Sequence, residues 1–279
     1  MKSLKVGFVG LGNMGSAIAQ RIINGGFPTI LYAHDEKSIA PFRNQAVQIV
    51  NRLAELSASS DVIGVCVFDD KDVNEVMLGE NGILENMKPE GIVAIHSTIS
   101  VDTMLKLEAQ GRKKSIYVID ATLSGRRQGA LEGKLAVMVG GGPKEYERVK
   151  PLFETFGNSV ALMGPVGSGQ KAKALSNVMN FANLSIAAEG LKIGLELGLN
   201  VEALKSVLPG GGAGSFALDS LLTSLLPNPS FAPHAAKMIE KDTGLYQAMC
   251  AKLGLGKTMI DTNAERAFEI VSKELRTLV

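Results

Sequence analysis

The sequence predicts an α/β protein: an N-terminal Rossmann-type, doubly wound and mostly parallel sheet, then an all-α C-terminal domain begun by a long central helix. Three observations predict it. A Gly-x-Gly-x-x-Gly run, Gly10 to Gly15, lies between a β-like run and a helix-like one. Short apolar, β-branched stretches then alternate with helical ones, the pattern of a parallel sheet covered on both faces. Beyond Gly164-Pro165 the apolar spacing is helical throughout. The expected domains are 1–164, for the dinucleotide, and 165–279, for substrate and self-association.

The totals narrow the function. A chain of 279 residues, 46% hydrophobic and 20% charged, is long and apolar enough for one large or two ordinary cores. With 29 basic and 28 acidic residues it lacks the basic excess of a nucleic-acid binder. Cys66 and Cys250 stand far apart in apolar company and read as buried thiols of a reducing, cytoplasmic compartment. The three histidines have no metal-ligand spacing, so no metal is expected. No uncharged apolar run has the length of a membrane span, and the chain enters a strand too early for a signal peptide.

Leu4 to Val9 is the first strand, and helical spacing of Ile18, Ala19, Ile22 and Ile23 follows the glycines. Gly10 permits a tight turn, Gly12 lets the backbone approach a pyrophosphate, and Gly15 lets helix pack on strand. With Leu11, Asn13 and Met14 they form the expected phosphate cradle at a helix N-terminus. Thr29 to Tyr32 is the second strand. After it an acid would bond the ribose hydroxyl of NAD, and a basic group would take the extra phosphate of NADP. Here stand Ala33, His34 and Asp35, with Asp35 twenty residues after Gly15. NAD and NADP both stay open.

Asp61 to Phe68, Ile92 to Ile95 and Ser115 to Ile119 are further strands, with helices from Val73 to Leu84, broken at Gly79 and Gly82, and from Val101 to about Gly111. Ligands lie outside the carboxyl ends of such strands, so Val67, Phe68, Ser97 and Thr98 are candidate contacts to the nicotinamide half. Asp69 and Asp70 read as caps. Asp120 to Ala130 reads as a small-residue loop whose N–H groups and hydroxyl suit a carboxylate, with Arg127 a solvated side chain. Leu135 to Gly141 and Ser159 to Met163 are the last strands, separated by a helix from Pro143 to Phe153. The helices expected beyond them are 168–197, about 45 Å long at 1.5 Å per residue, 201–208, 215–226, 233–253 and 256–277. On the first, Lys173 and Asn177 are four apart and share a face.

Four stretches in this order resemble the β-hydroxyacid dehydrogenase family: Val6 to Gly15, Asp120 to Gly129 with Gly140-Gly141, Gly167-Ser168-Gly169-Gln170 to Asn177, and Lys241-Asp242. The resemblance covers nearly the whole chain. It implies that Lys173 is the catalytic lysine, that Asn177 orients the substrate, that Ser124 and Gly125 hold its carboxylate, and that Lys241 reaches the cofactor. It implies also a homodimer or homotetramer built through the C-terminal helices. The chain departs from the family pattern at several places. Arg126 replaces the second glycine of a Ser-Gly-Gly turn, Ser176 replaces the first of two asparagines, Ala33-His34 replaces a strand-end acid or Asn-Arg pair, and Phe68 replaces a proline. Arg126 suits a second acidic group on the substrate.

The implied reaction is reversible hydride transfer between NAD or NADP and a small 3-hydroxy acid or semialdehyde carboxylate, with Lys173 as general acid and base. A free lysine titrates at about 10.4, so burial has to lower it. The alternatives are an imine reductase-like enzyme, which Lys173 argues against, and a non-catalytic dinucleotide sensor, which Lys173 and Asn177 argue against.

Overall fold

The computed structural model describes residues 4–33 and 35–275. The chain forms two compact units, Met1–Lys173 and Ala174–Val279.

The first unit alternates strand and helix. β1 (Val6–Val9), α1 (Asn13–Asn24), β2 (Thr29–Tyr32), α2 (Glu36–Ile39), β3 (Gln48–Ile49), α3 (Leu53–Ser59) and β4 (Val62–Val65) come first. α4 (Asp70–Leu78), α5 (Ile83–Asn86), β5 (Ile92–Ile95), α6 (Val101–Arg112) and β6 (Tyr117–Ser124) follow. α7 (Arg126–Glu132), β7 (Leu135–Gly140), α8 (Pro143–Phe153) and β8 (Gly157–Gly164) complete it. The eight strands lie in the order β3-β2-β1-β4-β5-β6-β7-β8. Every pair is parallel except β6 with β7. β1, β4 and β5 are buried along their whole length, as strands covered on both faces must be, and so lack polar alternation. One core, with Phe8, Ile18, Phe153 and Phe156, and a second, with Ile63, Met77, Val93 and Met104, pack on the sheet.

Two expectations fail here. Asp120 to Ser124 is not a loop but the second half of β6, and Arg126–Glu132 is the helix α7 rather than an irregular segment. Asp120 pairs with Gly140 and Ser124 with Ala136 in the antiparallel ladder. The small residues there fit close packing on both faces, which hides the strand from a reading by side-chain type. The two-residue β3 and the helix α3 lie in the stretch 36–60, whose sequence has too little periodicity to predict them.

The second unit is helical. α9 (Ser168–Glu196) begins in the first unit and continues into the second, where α10 (Val201–Val207), α11 (Phe216–Ser220), α12 (Ala232–Lys252) and α13 (Met259–Glu269) follow. Its core joins Val178, Phe181, Ala188 and Leu191 of α9 to Ile239 and Tyr246 of α12 and to Ala264 and Ala267 of α13. The last helix starts on a capping box between Thr258 and Asp261, not at Gly256. Among the described residues no helix is long and apolar enough to cross a membrane.

Candidate active site

The glycine turn meets each demand that a dinucleotide makes of it. Gly10 holds φ +91, where a side chain is strained, and a Cβ there would fall 2.4 Å from the Cys66 carbonyl oxygen. At Gly15 a Cβ would fall 1.8 Å from the Gly10 oxygen, so α1 can approach the turn only because the side chain is missing. At Gly12 a Cβ would meet nothing within 4 Å. Gly12 is thus bare on an open side, where a pyrophosphate can lie against the backbone. It caps α1 without a side-chain hydrogen bond, and no acid stands in the first turn, so N–H dipoles and local charge both favour an anion. Asn13 is exposed and Met14 half-buried, whereas the Leu11 side chain is in the core and offers a ligand only its backbone. These residues fit NAD or NADP. Arg127, expected in solvent, reaches α1 instead: its guanidinium donates to the Asn13 carbonyl at 2.5 Å and to Ser16 Oγ at 2.8 Å.

The residues at the end of β2 are less informative. His34 lies outside the described residues. Asp35 caps α2, accepting the Ser38 N–H at 2.9 Å. Hydrogen bonds from the Ser38 side chain, then from its backbone, hold the Asp35 carboxyl below its usual range.

At the carboxyl ends of β4 and β5, Val67 donates its N–H to Ser97 Oγ at 3.0 Å. Ser97 is buried, Thr98 half-buried and Phe68 exposed. Asp69 caps α4, accepting the Asp72 N–H, while Asp70 accepts both the N–H and the hydroxyl of Ser100. Both acids therefore do structural work.

Ser124 ends β6. Gly125 follows at φ +134 and Arg126 at φ +60. A non-glycine residue held at such a φ costs on the order of 1 kcal/mol. Arg126 thus occupies a position that glycine fills at no cost.

The strand ends also hold the start of α9. Asp120 is fully buried; its carboxylate accepts the N–H of Gly167 and that of Gln170, both at 2.7 Å. Burial pushes its carboxyl upward, and the backbone N–H groups pull it back. A Cβ at Gly140 would fall 2.3 Å from Asp120 Oδ1, so the glycine makes room for this carboxylate. Lys173 lies one turn beyond Gln170 and is half-buried, whereas Lys171 is exposed.

In the second unit, Asn177 and Lys241 meet at Asp242. The Asn177 side-chain amide donates to Asp242 Oδ2 at 2.6 Å, and Lys241 Nζ is 3.4 Å from Asp242 Oδ1. Asp242 is only 5% exposed, and Oδ1 has that ion-pair contact without a hydrogen bond. Sequence reasoning paired Lys241 with Asp242 but gave the acid no role. Nothing in spacing alone marks Asp120, Gln170 or Arg127 as site residues. Among the described residues no group of three His, Cys, Asp or Glu side chains is placed to hold a metal.

Residues 5–164 match the family model of the NAD binding domain of 6-phosphogluconate dehydrogenase. Residues 167–276 match the model described as NAD-binding of NADP-dependent 3-hydroxyisobutyrate dehydrogenase. An uncharacterized oxidoreductase of Synechocystis sp. is 32% identical over 88% of this chain and 86% of its own. The 2-(hydroxymethyl)glutarate dehydrogenase of Eubacterium barkeri is 28% identical over 88% of this chain and 81% of its own. The structure of 3-hydroxyisobutyrate dehydrogenase from Mycobacterium tuberculosis, solved with L-serine, superposes with a TM-score of 0.83 over 97% of this chain and 94% of that one, at 24% identity. Those matches and the cradle around Gly12 place the protein: it belongs to the β-hydroxyacid dehydrogenase family, as an NAD(P)-dependent hydroxyacid dehydrogenase of the 3-hydroxyisobutyrate dehydrogenase type.

Proposed function

We propose that the chain interconverts a small 3-hydroxy acid and the matching semialdehyde carboxylate, with Lys173 moving the proton. The observation that carries this is the placement of Lys173: one turn past the anchored start of α9 and half-buried, where its neighbour Lys171 is exposed. The nicotinamide supplies or accepts the hydride. In reduction the Lys173 ammonium donates its proton to the oxygen of the forming alcohol. In oxidation the neutral amine takes it back. Asn177, its amide N–H turned to Asp242, orients the substrate. Ser124 and Gly125 hold the carboxylate, Arg126 a second acidic group. Gly10 to Gly15 carry the pyrophosphate, with Val67, Phe68, Ser97, Thr98 and Lys241 along the rest of the dinucleotide and His34 or Asp35 at the ribose. One relative is named for a dicarboxylate, 2-(hydroxymethyl)glutarate, which agrees in kind with the role given to Arg126.

On this reading residues 1–164 serve the dinucleotide and 165–279 complete the substrate site and self-association, in a cytoplasmic homodimer or homotetramer. The strongly exposed Ile186 and Ile193 on α9, at 58% and 55%, support the last point. Absorbance at the reduced-nicotinamide band tests the function, with NADH and NADPH against tartronate, succinate and methylmalonate semialdehydes and glyoxylate. Turnover of at least one is expected. Tight dinucleotide binding with no turnover of any would favour a sensor.

A further inference from the structure

Lys173 can serve only if the backbone beneath it is held still, and the structure shows what holds it. Five hydrogen bonds tie the first turn of α9 to the strand ends. Asp120 of β6 accepts the N–H groups of Gly167 and Gln170. Thr122 Oγ1, also on β6, donates to the Gly169 carbonyl at 2.9 Å. The Gln170 side chain reaches back to the segment after β5: Nε2 donates to the Ser97 carbonyl at 2.8 Å, and Oε1 accepts the Ile99 N–H at 3.1 Å. Ser97 in turn accepts the Val67 N–H. Gly169 admits the contact, since a Cβ there would fall 2.4 Å from the Met138 carbonyl oxygen.

A helix start needs a cap; it does not need a 2%-exposed glutamine spanning two backbone groups of another element. A glutamine amide satisfies both at once, because it offers a donor and an acceptor side by side on a stem long enough to reach them, and no charge. A lysine or glutamate there would bury a charge, and an apolar residue would leave the Ser97 carbonyl and the Ile99 N–H unpaired.

We propose that Gln170, together with Asp120, is the positioning pair that fixes Lys173 in register with the strand ends Val67 to Thr98, so that proton donor and nicotinamide are aligned by one shared set of bonds. The inference rests on the role given to Lys173. Gln170 touches neither substrate nor cofactor; it acts through the helix it anchors.

A double-mutant cycle tests this, with wild type, Gln170→Met, Lys173→Ala and the combined variant assayed on succinate semialdehyde and the other aldehydes above. Dinucleotide affinity is read by fluorescence, and backbone exchange at Ile99 by deuterium uptake. In Gln170→Met we expect kcat to fall about tenfold or more, since an ångström of misplacement can cost roughly 10²-fold. KM and dinucleotide affinity should stay nearly unchanged and the Ile99 amide should exchange faster. The combined variant should be no slower than Lys173→Ala. If Gln170→Met slows Lys173→Ala by the same factor as it slows wild type, or leaves wild-type kcat intact, the positioning role is wrong. If Lys173→Ala itself keeps full kcat, the assignment of the proton donor is wrong instead, whatever Gln170 does. Should Gln170→Met not fold, Gln170→Asn, which buries no charge but is a methylene too short to span both backbone groups, enters the same cycle with the same two outcomes.

Discussion

Asp242 shows how much one side chain can decide. Its carboxylate takes the Asn177 amide N–H and lies beside the Lys241 ammonium, so the Asn177 amide is oriented by it. Asp242→Ala should therefore lower kcat/KM about as much as Asn177→Ala, on the order of tenfold to a hundredfold, and the double variant should be no worse than either. Additive losses would mean that the two act separately. Arg126 is the second informative residue. In Arg126→Gly the strain at φ +60 is relieved, which offsets the loss of the side chain's own contacts. A preference for dianionic over monoanionic aldehydes should fall about tenfold or more, the usual loss for a charge-assisted hydrogen bond. Unchanged preference would remove Arg126 from substrate choice. Lys173, Asn177 and Arg126 are legible as candidates because a charged or amide side chain at a set offset within a motif suggests its own chemistry. Asp120 and Gln170 stand in the same motifs, but their anchoring role is not legible there, since their partners are backbone groups between 47 and 73 residues away.

At the scale of elements, the glycine turn was legible because each glycine answers a separate steric demand. Those demands separate two variants of the same helix start. Gly12→Ala adds a methyl group to open space, so the fold should keep its Tm while dinucleotide affinity falls about tenfold or more. Gly15→Ala drives a methyl group to 1.8 Å from the Gly10 oxygen and should lower Tm by several degrees as well. Thermal melts with and without NADPH read both effects; equal melting losses in the two variants would contradict the assignment. β6 runs on to Ser124, where the sequence predicts a loop from Asp120. Ten residues separate Ser124 from Leu135, fewer than the dozen or so that a parallel crossover needs, so the chain must return antiparallel. That constraint was present in the sequence, but it shows only once Asp120 to Ser124 is recognised as strand.

On the scale of the molecule, each unit has its own core, and the first carries a titratable group inside it. His96 stacks on Phe8 and meets Phe153 and Phe156 edge-on. Its Nδ1–H donates to the Ala121 carbonyl at 2.7 Å. Burial lowers its pKa to about 4. The unfolded chain takes up this proton near pH 6.5 and the folded one only near 4, so the stability linked to neutral His96 is present above pH 6.5 and lost as pH falls toward 4. The loss is about 1.4 kcal/mol per pH unit within that window. Asp120, pushed upward by burial, works in the opposite sense: its contribution is fullest in acid and declines as pH rises. Urea melts between pH 7 and 4.5 should show the steeper acid slope in wild type and a flatter one in His96→Asn, which keeps a donor but does not titrate. Parallel slopes would clear His96 of this role. The two-domain plan is readable from alternating strands and helices giving way to helices alone; the histidine's environment is not, because its three aromatic neighbours come from β1, from the end of α8 and from the turn between α8 and β8.

The central claim is that Lys173 moves the proton while a bound nicotinamide moves the hydride. Its most direct test is the turnover of Lys173→Ala beside Lys171→Ala, with NADPH and NADH affinity measured in both. We expect Lys173→Ala to lose roughly 10²–10⁴-fold in kcat with dinucleotide affinity preserved, and Lys171→Ala to stay near wild type. Full activity in Lys173→Ala, or its loss in Lys171→Ala instead, would contradict the account.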